Sequence, residues 1–221
     1  MTVTPESVQQ LLTSDDYGQR LTAINQLRQL EPTIAFDMIQ TAVNDPNARV
    51  RYAAISQLAT LGQQDLHKSL TILRDRLLND KEVDVQAAAA DSIGALQLKE
   101  AYEDLQTIYQ SSSEWLLQFS IIAALGELGD PRSFELLQSA LESNNELIRT
   151  AAVGSLGELG DSRALPLLIP YASDQDSQIR YRVAQALGRL NHPQALAVLE
   201  VLANDEVETV AQEAKVHLQA S

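Results

Sequence analysis

The sequence predicts an all-α solenoid of short helix-pair repeats, one domain spanning residues 1–221. It makes seven right-handed turns, counted as about six full repeats plus a terminal capping helix. Three observations predict it. The composition belongs to a helix former: 45% hydrophobic, only 5% aromatic, with 9 Gly and 7 Pro in the chain. Short fragments recur in register along the chain. Apolar residues within each fragment fall at helical spacing and are interrupted by turn residues.

The register is read by aligning RYAAISQLATLG, RTAAVGSLGELG and RYRVAQALGRL on their first residue. One column then runs Arg20, Arg51, Gln86, Gln118, Arg149, Arg180 and Ala211, at spacings of 31, 35, 32, 31, 31 and 31. Seven residues further on lie Leu27, Leu58, Ile93, Leu125, Leu156, Leu187 and Leu218. Three after the first column lie Ala23, Ala54, Ala89, Ile121, Ala152, Val183 and Ala214. A short helix that shows one apolar stripe cannot bury it alone, so successive units must stack.

The elements follow in order. Thr4-Pro5 starts a reduced first helix that carries Val8 and Leu12. Asp45-Pro46 reads as a capping acceptor before a proline at the first helical position. Asp80, Asp174 and Asp205 share its offset, six residues before the Arg column. Val50, Ala54, Leu58 and Leu61 form one stripe, and Ile148, Ala152, Leu156 and Leu159 form its counterpart. Breaks fall at GDPR (129–132), GDSR (160–163) and NHPQ (191–194), and the GELGD runs read as helix C-termini with glycine stops. A second stripe follows the first two breaks: Phe134, Leu137 and Leu141, then Leu165, Leu168 and Ile169. After Asn204 one helix remains, and its Lys215 and His217 replace small or apolar residues, as a cap requires.

Composition also limits function. No cysteine is present, which removes disulfides, thiolate nucleophiles, Cys-type zinc sites and thioether-linked ligands. A formal charge of −14 argues against nucleic acid as a partner and reads as solubility or a face for a basic partner. There is no run of 18 apolar residues and no basic-then-apolar start, so neither membrane insertion nor a signal peptide is expected and the location is expected to be cytoplasmic. His67, His192 and His217 fall in two turns and the terminal cap without the i, i+4 spacing of a metal pair, so no metal site is expected. No nucleotide loop, serine elbow or carboxylate cluster is recognisable. The enzyme question stays open.

The pattern D-x₅-R-x₂-A-x₃-L-G-x-L-G-D, seen across 143–161 (with Ser143 in the Asp place) and 174–190, resembles the short HEAT-like repeats of the phycobilisome lyase type. The stretch VTPESVQQLLTSDDYGQRLTAINQLRQLEP looks most like the phycobilisome degradation (non-bleaching) proteins of cyanobacteria. That resemblance implies a factor that binds phycobiliproteins and promotes antenna disassembly, or detachment of phycocyanobilin, under nutrient stress. It also implies a chromophore-detaching, lyase-like activity, free bilin as a second ligand held transiently and non-covalently, and a place beside the thylakoid through the antenna. The alternatives are a bilin lyase subunit that attaches or transfers bilin, and a generic protein-interaction scaffold.

By the same resemblance, the Asp and Arg six residues apart bond to neighbouring turns and to each other, as Asp45 with Arg51 and Asp174 with Arg180. The Arg-bearing helix is then expected on the concave side. Positions one, five and nine after the Arg column lie opposite the stripe. Tyr52, Phe119 and Tyr181 fall in the first of these, and Trp115, the only Trp, lies one turn before Phe119. Tyr52, Trp115, Phe119 and Tyr181 are the candidate concave-face binding row, either anchors along an extended partner or covers for neighbouring aliphatic residues. Alternate repeats stand roughly 20 Å apart, too far for one aromatic box. Glu127, Glu158 and Arg189 hold the ninth position and read as a solvated face.

Overall fold

The computed structural model describes residues 3–219. Among them are fourteen α-helices and no strand: α1 (Pro5–Leu12), α2 (Tyr17–Leu27), α3 (Pro32–Ile39), α4 (Ala48–Leu61), α5 (Leu66–Asn79), α6 (Val83–Ala95), α7 (Tyr102–Ser111), α8 (Trp115–Leu128), α9 (Ser133–Ala140), α10 (Glu146–Leu159), α11 (Leu165–Leu168), α12 (Ser177–Leu190), α13 (Pro193–Leu202) and α14 (Glu208–Gln219). The chain groups into two compact units, one up to Ser120 and one from Ile121, the division falling within α8.

In the first unit α2, α4 and α6 pack in sequence, with α1 against α2, α3 against α4 and α5 against α6. Thr4 and Ser7 form a reciprocal capping box at the start of α1, with Pro5 in the first turn. The stripes meet at Ile24, Leu27, Ile55, Leu58, Leu73, Leu77 and Ile93, all fully buried. Each such side chain stabilises the fold by about 1.5–3 kcal/mol. Two buried side chains lace neighbouring helices to main chain: Gln57 Nε2 donates to the Ile24 carbonyl at 2.8 Å, and Ser92 Oγ to the Ile55 carbonyl at 2.9 Å.

In the second unit α10, α12 and α14 pack in sequence, backed by α9 and α13. Leu125, Leu137, Leu156, Val183, Leu187 and Leu199 are fully buried there. Glycines of the second unit serve two different ends. Gly129 and Gly160 take φ of +62° and +72°, the left-handed turn that stops a helix. Gly126, Gly157 and Gly188 instead let helices touch. A Cβ on Gly157 would lie 2.4 Å from Ala186 Cα, and one on Gly188 would lie 2.1 Å from the His217 ring. The last repeat thus closes with His217 over Gly188 where Ala186 sits over Gly157.

The turns obey one rule. The residue six before the Arg column accepts the main-chain N–H two residues on, whether it is Ser14, Asp45, Asp80, Ser112, Ser143, Asp174 or Asp205. This corrects the expected helix start at Asp45-Pro46: α4 begins at Ala48, capped by Asn47, and Asp45 stands two residues before the cap. The Asp–Arg pairs do join neighbouring turns and each other, but through different atoms of the Asp. Arg51 does not bond the carboxylate of Asp45. Its guanidinium forks onto Asp80 of the following repeat, at 2.8 Å from each nitrogen, while Nη1 donates to the Asp45 carbonyl at 2.9 Å. Arg20 forks in the same way onto Asp45 and Arg180 onto Asp205, each with Nη1 on the carbonyl six residues back. The carboxylate and the carbonyl of one Asp therefore serve different arginines. Among the described residues Arg149 and Asp174 form no such pair; Arg149 donates only to the Ser143 carbonyl.

Two local expectations change as well. The stripe Leu165, Leu168 and Ile169 makes only a four-residue helix, followed by a tighter 3-10 turn over Ile169–Ser173. Pro170 lacks the N–H that would continue the α-helix. His67 lies in the first turn of α5 rather than in the preceding turn, and His192 caps α13 by accepting from Gln194 N–H at 3.2 Å.

Candidate functional site

The face of the Arg-bearing helices opposite the apolar stripe is open where the 100° spacing places it. Tyr52 is 48% exposed, and Ser56 and Asp91 one turn further on are also reached by solvent. Ala87 breaks the pattern and is buried. Its small side chain, with that of Ala88, follows Tyr52 of the preceding repeat and leaves a hollow of about 390 Å³.

Three helices build this hollow inside the first unit. α4 contributes Ala48, Arg49 and Tyr52. The start and body of α6 contribute Glu82, Asp84, Val85, Ala87, Ala88 and Asp91, and α8 contributes Leu116 and Ser120. Asp91 hydrogen bonds with the Ser120 hydroxyl; burial pushes its carboxyl above the ordinary Asp value, and that hydrogen bond opposes the rise. Asp91 is nonetheless exposed on its outer side, so a ligand that brings an N–H or a positive charge can reach it. Among the described residues neither the Tyr52 hydroxyl nor the side chains of Arg49 and Asp84 have a polar partner, while the Glu82 side chain makes no hydrogen bond and acts on the Arg51 guanidinium by charge alone.

The four aromatic candidates are placed unequally. Tyr52 walls the hollow. Trp115, 49% exposed, and half-buried Phe119 lie on α8 with Leu116 and Ser120, but neither lines the hollow. Tyr181 belongs to the second unit and is half-buried; its hydroxyl receives Gln185 Nε2 at 3.1 Å. Burial, and then the Glu213 carboxylate, push the Tyr181 phenol above its ordinary value. Glu158 and Arg189 of the solvated face form an ion pair at 2.9 Å, so Glu158 is no isolated acid. His217 meets Glu213 at 3.1 Å. Among the described residues no group of three or more His, Asp or Glu is placed to hold a metal ion, and no helix is long and apolar enough to cross a membrane.

Asp91 is the residue that sequence reasoning passed over. The signal was present: a carboxylate closes the run AAAAD at a column position that holds Ser56 and Ala123 in the flanking repeats.

Solved structures resemble the chain along nearly its whole length. A chain of the complex of CpcE and CpcF of phycocyanin lyase from Nostoc superposes with a TM-score of 0.71 at 24% identity, covering 100% of this chain and 88% of the other. YibA of E. coli gives 0.63 at 20% identity, covering 98% and 81%. An archaeal HEAT-like repeats protein from Thermococcus onnurineus gives 0.58 at 15% identity, covering 99% and 97%. At these identities the likeness concerns the fold. No curated protein matches the sequence. A family model of HEAT repeats matches residues 4–83, 70–154 and 135–218, which joins the in-register columns, the helix pairs and the Arg–Asp forks into one assignment: the chain belongs to the HEAT-repeat family.

Proposed function

We propose that this chain is a docking subunit of the bilin-lyase type, one that holds a phycobiliprotein and handles its bilin. The observation that carries the reading is the likeness, over 100% of the chain, to a chain of the phycocyanin lyase complex. The motif shared by 143–161 and 174–190 supports it. So does the open helix face of the first unit, where a Tyr-walled hollow has unpaired polar groups at its edge.

Because these residues include no cysteine, any bilin is held here without a covalent bond. Tyr52, Trp115 and Phe119 of the first unit and Tyr181 of the second are the proposed aromatic contacts to the partner. The docked antenna complex would bring the protein to the thylakoid surface from the cytoplasm. A second reading, detachment of bilin and dismantling of the antenna, rests on the N-terminal stretch that resembles the degradation proteins. It uses the same docking and differs in the direction of bilin transfer.

A visible absorption time course of phycocyanin with this protein tests both. Loss of the holoprotein band, with bilin leaving the antenna subunit, supports detachment. Transfer of added bilin to apo-phycocyanin supports the attaching lyase and calls for a second subunit if the chain alone is inert. No spectral change in either experiment, and no complex, removes the phycobiliprotein reading and leaves a HEAT-repeat scaffold.

A further inference from the structure

The hollow walled by Tyr52 has a charge balance unlike that of a general apolar groove. Its lining combines the aliphatic side chains of Val85, Ala87, Ala88 and Leu116 with three carboxylates, Glu82, Asp84 and Asp91, against one guanidinium, Arg49. Its volume of about 390 Å³ is at the low end of ligand sites, which run about 300–1,000 Å³. Such a space suits one long side chain with some solvent rather than an extended multi-ring chromophore.

Glu82, Asp84 and Asp91 are all open to solvent around the hollow, and they differ in how they are held. Asp91 is hydrogen-bonded to Ser120, and that hydroxyl belongs to a side chain only 4% exposed, so this carboxylate is held in place. Glu82 and Asp84 stand at the start of α6; neither side chain is hydrogen-bonded, and Glu82 feels only the charge of Arg51. Glu82 occupies the cap position yet makes no side-chain capping bond. Tyr52, about half exposed and without a partner for its hydroxyl, offers a ring face beside them.

We propose that this hollow receives an arginine side chain of the docked protein, its methylenes on Ala87, Ala88 and Leu116 and its guanidinium between Tyr52 and the carboxylate of Asp91. A planar guanidinium forks onto a carboxylate and stacks on an aromatic ring, which a compact ammonium does less well. A cation against a Tyr face adds to the attraction. An anion meets the opposite balance, three negative charges against one positive. The proposal rests on the reading that the chain docks a protein, but not on that protein being a phycobiliprotein.

Amide NMR of the full, isotope-labelled chain tests it, with N-acetyl-arginine methylamide as the probe and the uncharged citrulline counterpart as control. The expected result is saturable shifts at Ala87, Ala88 and Ser120 with the arginine probe, and binding on the order of ten-fold weaker for citrulline. Asp91→Asn weakens the arginine probe by a similar factor, and Tyr52→Ala reduces it as well. If Asp91→Asn disturbs the fold, the rim variant Glu82→Gln/Asp84→Asn supplies the same comparison. Equal binding of citrulline and arginine, or binding untouched by the carboxylate variants, overturns the proposal. Phycocyanin docking is measured separately: an arginine-binding hollow on a chain that ignores phycocyanin keeps this inference and removes the phycobiliprotein partner. Phycocyanin docking without arginine binding does the reverse.

Discussion

At the residue scale, the Arg–Asp forks behave as coupled pairs, and the sequence itself shows the coupling. Where the Arg place holds Gln86 or Gln118, the Asp place of the next repeat holds Ser112 or Ser143. A carboxylate left buried without its cation costs far more than a neutral hydroxyl in the same turn. The side chains of Arg51 and Asp80 are 13% and 1% exposed, and Arg76 also reaches Asp80 at 3.3 Å, so Arg51→Gln alone removes the better of two partners and destabilises by about 2 kcal/mol in urea unfolding. Arg51→Gln/Asp80→Ser, which copies the neutral repeats, recovers a large part of that loss. Acid reads the same forks. The Arg180 guanidinium, against some opposition from burial, holds the Asp205 carboxyl below its usual range, aided by Val207 N–H. A depressed carboxyl stabilises the fold above the unfolded-state value, about 3.9, and that stability is lost as pH falls through the folded value. Asp205→Asn is therefore less stable than the parent at neutral pH and loses less between about pH 5 and pH 3, as thermal unfolding at each pH will show. The columns made these Arg and Asp positions visible in sequence. They did not reveal which atoms pair, because spacing alone cannot say that the carboxylate serves one repeat's arginine and the carbonyl the next.

At the element scale, two glycines on one helix separate packing from propensity. Gly157 lets α10 approach α12, and its Cβ would meet Ala186 at 2.5 Å from the opposing Cβ. Gly157→Ala forces the helices apart at a cost of about 1–3 kcal/mol. Gly154, three residues earlier, faces open space with nothing within 4 Å of a built Cβ. Gly154→Ala stabilises by roughly 0.5–1 kcal/mol, because alanine has less freedom to lose on entering a helix. Denaturant midpoints of the two variants shift in opposite directions. The L-G-x-L-G pattern announced both the helix stop and the repeat, yet the close contact of its first glycine needed the neighbouring helix to be seen. The shortened α11 was legible in principle, since Pro170 follows its apolar stripe. The hollow was not: it arises from small residues on α6 beside a large one on α4, a difference between repeats that an aligned stripe conceals.

At the scale of the whole molecule, the periodic columns were enough to give the helix-pair repeat and its family, and 4–218 conform to it. Function was less legible. A repeat pattern specifies surfaces that bury each other, whereas the partner is chosen by the residues that the pattern leaves free. Those residues are few here: Tyr52, the carboxylates of the hollow and Trp115, in a chain whose charge is −14. The most direct measurement of the central claim is sedimentation velocity of phycocyanin, followed at its own visible band, with increasing amounts of this protein. Docking gives a faster, saturable visible boundary. A visible boundary that never moves at micromolar concentrations would contradict it.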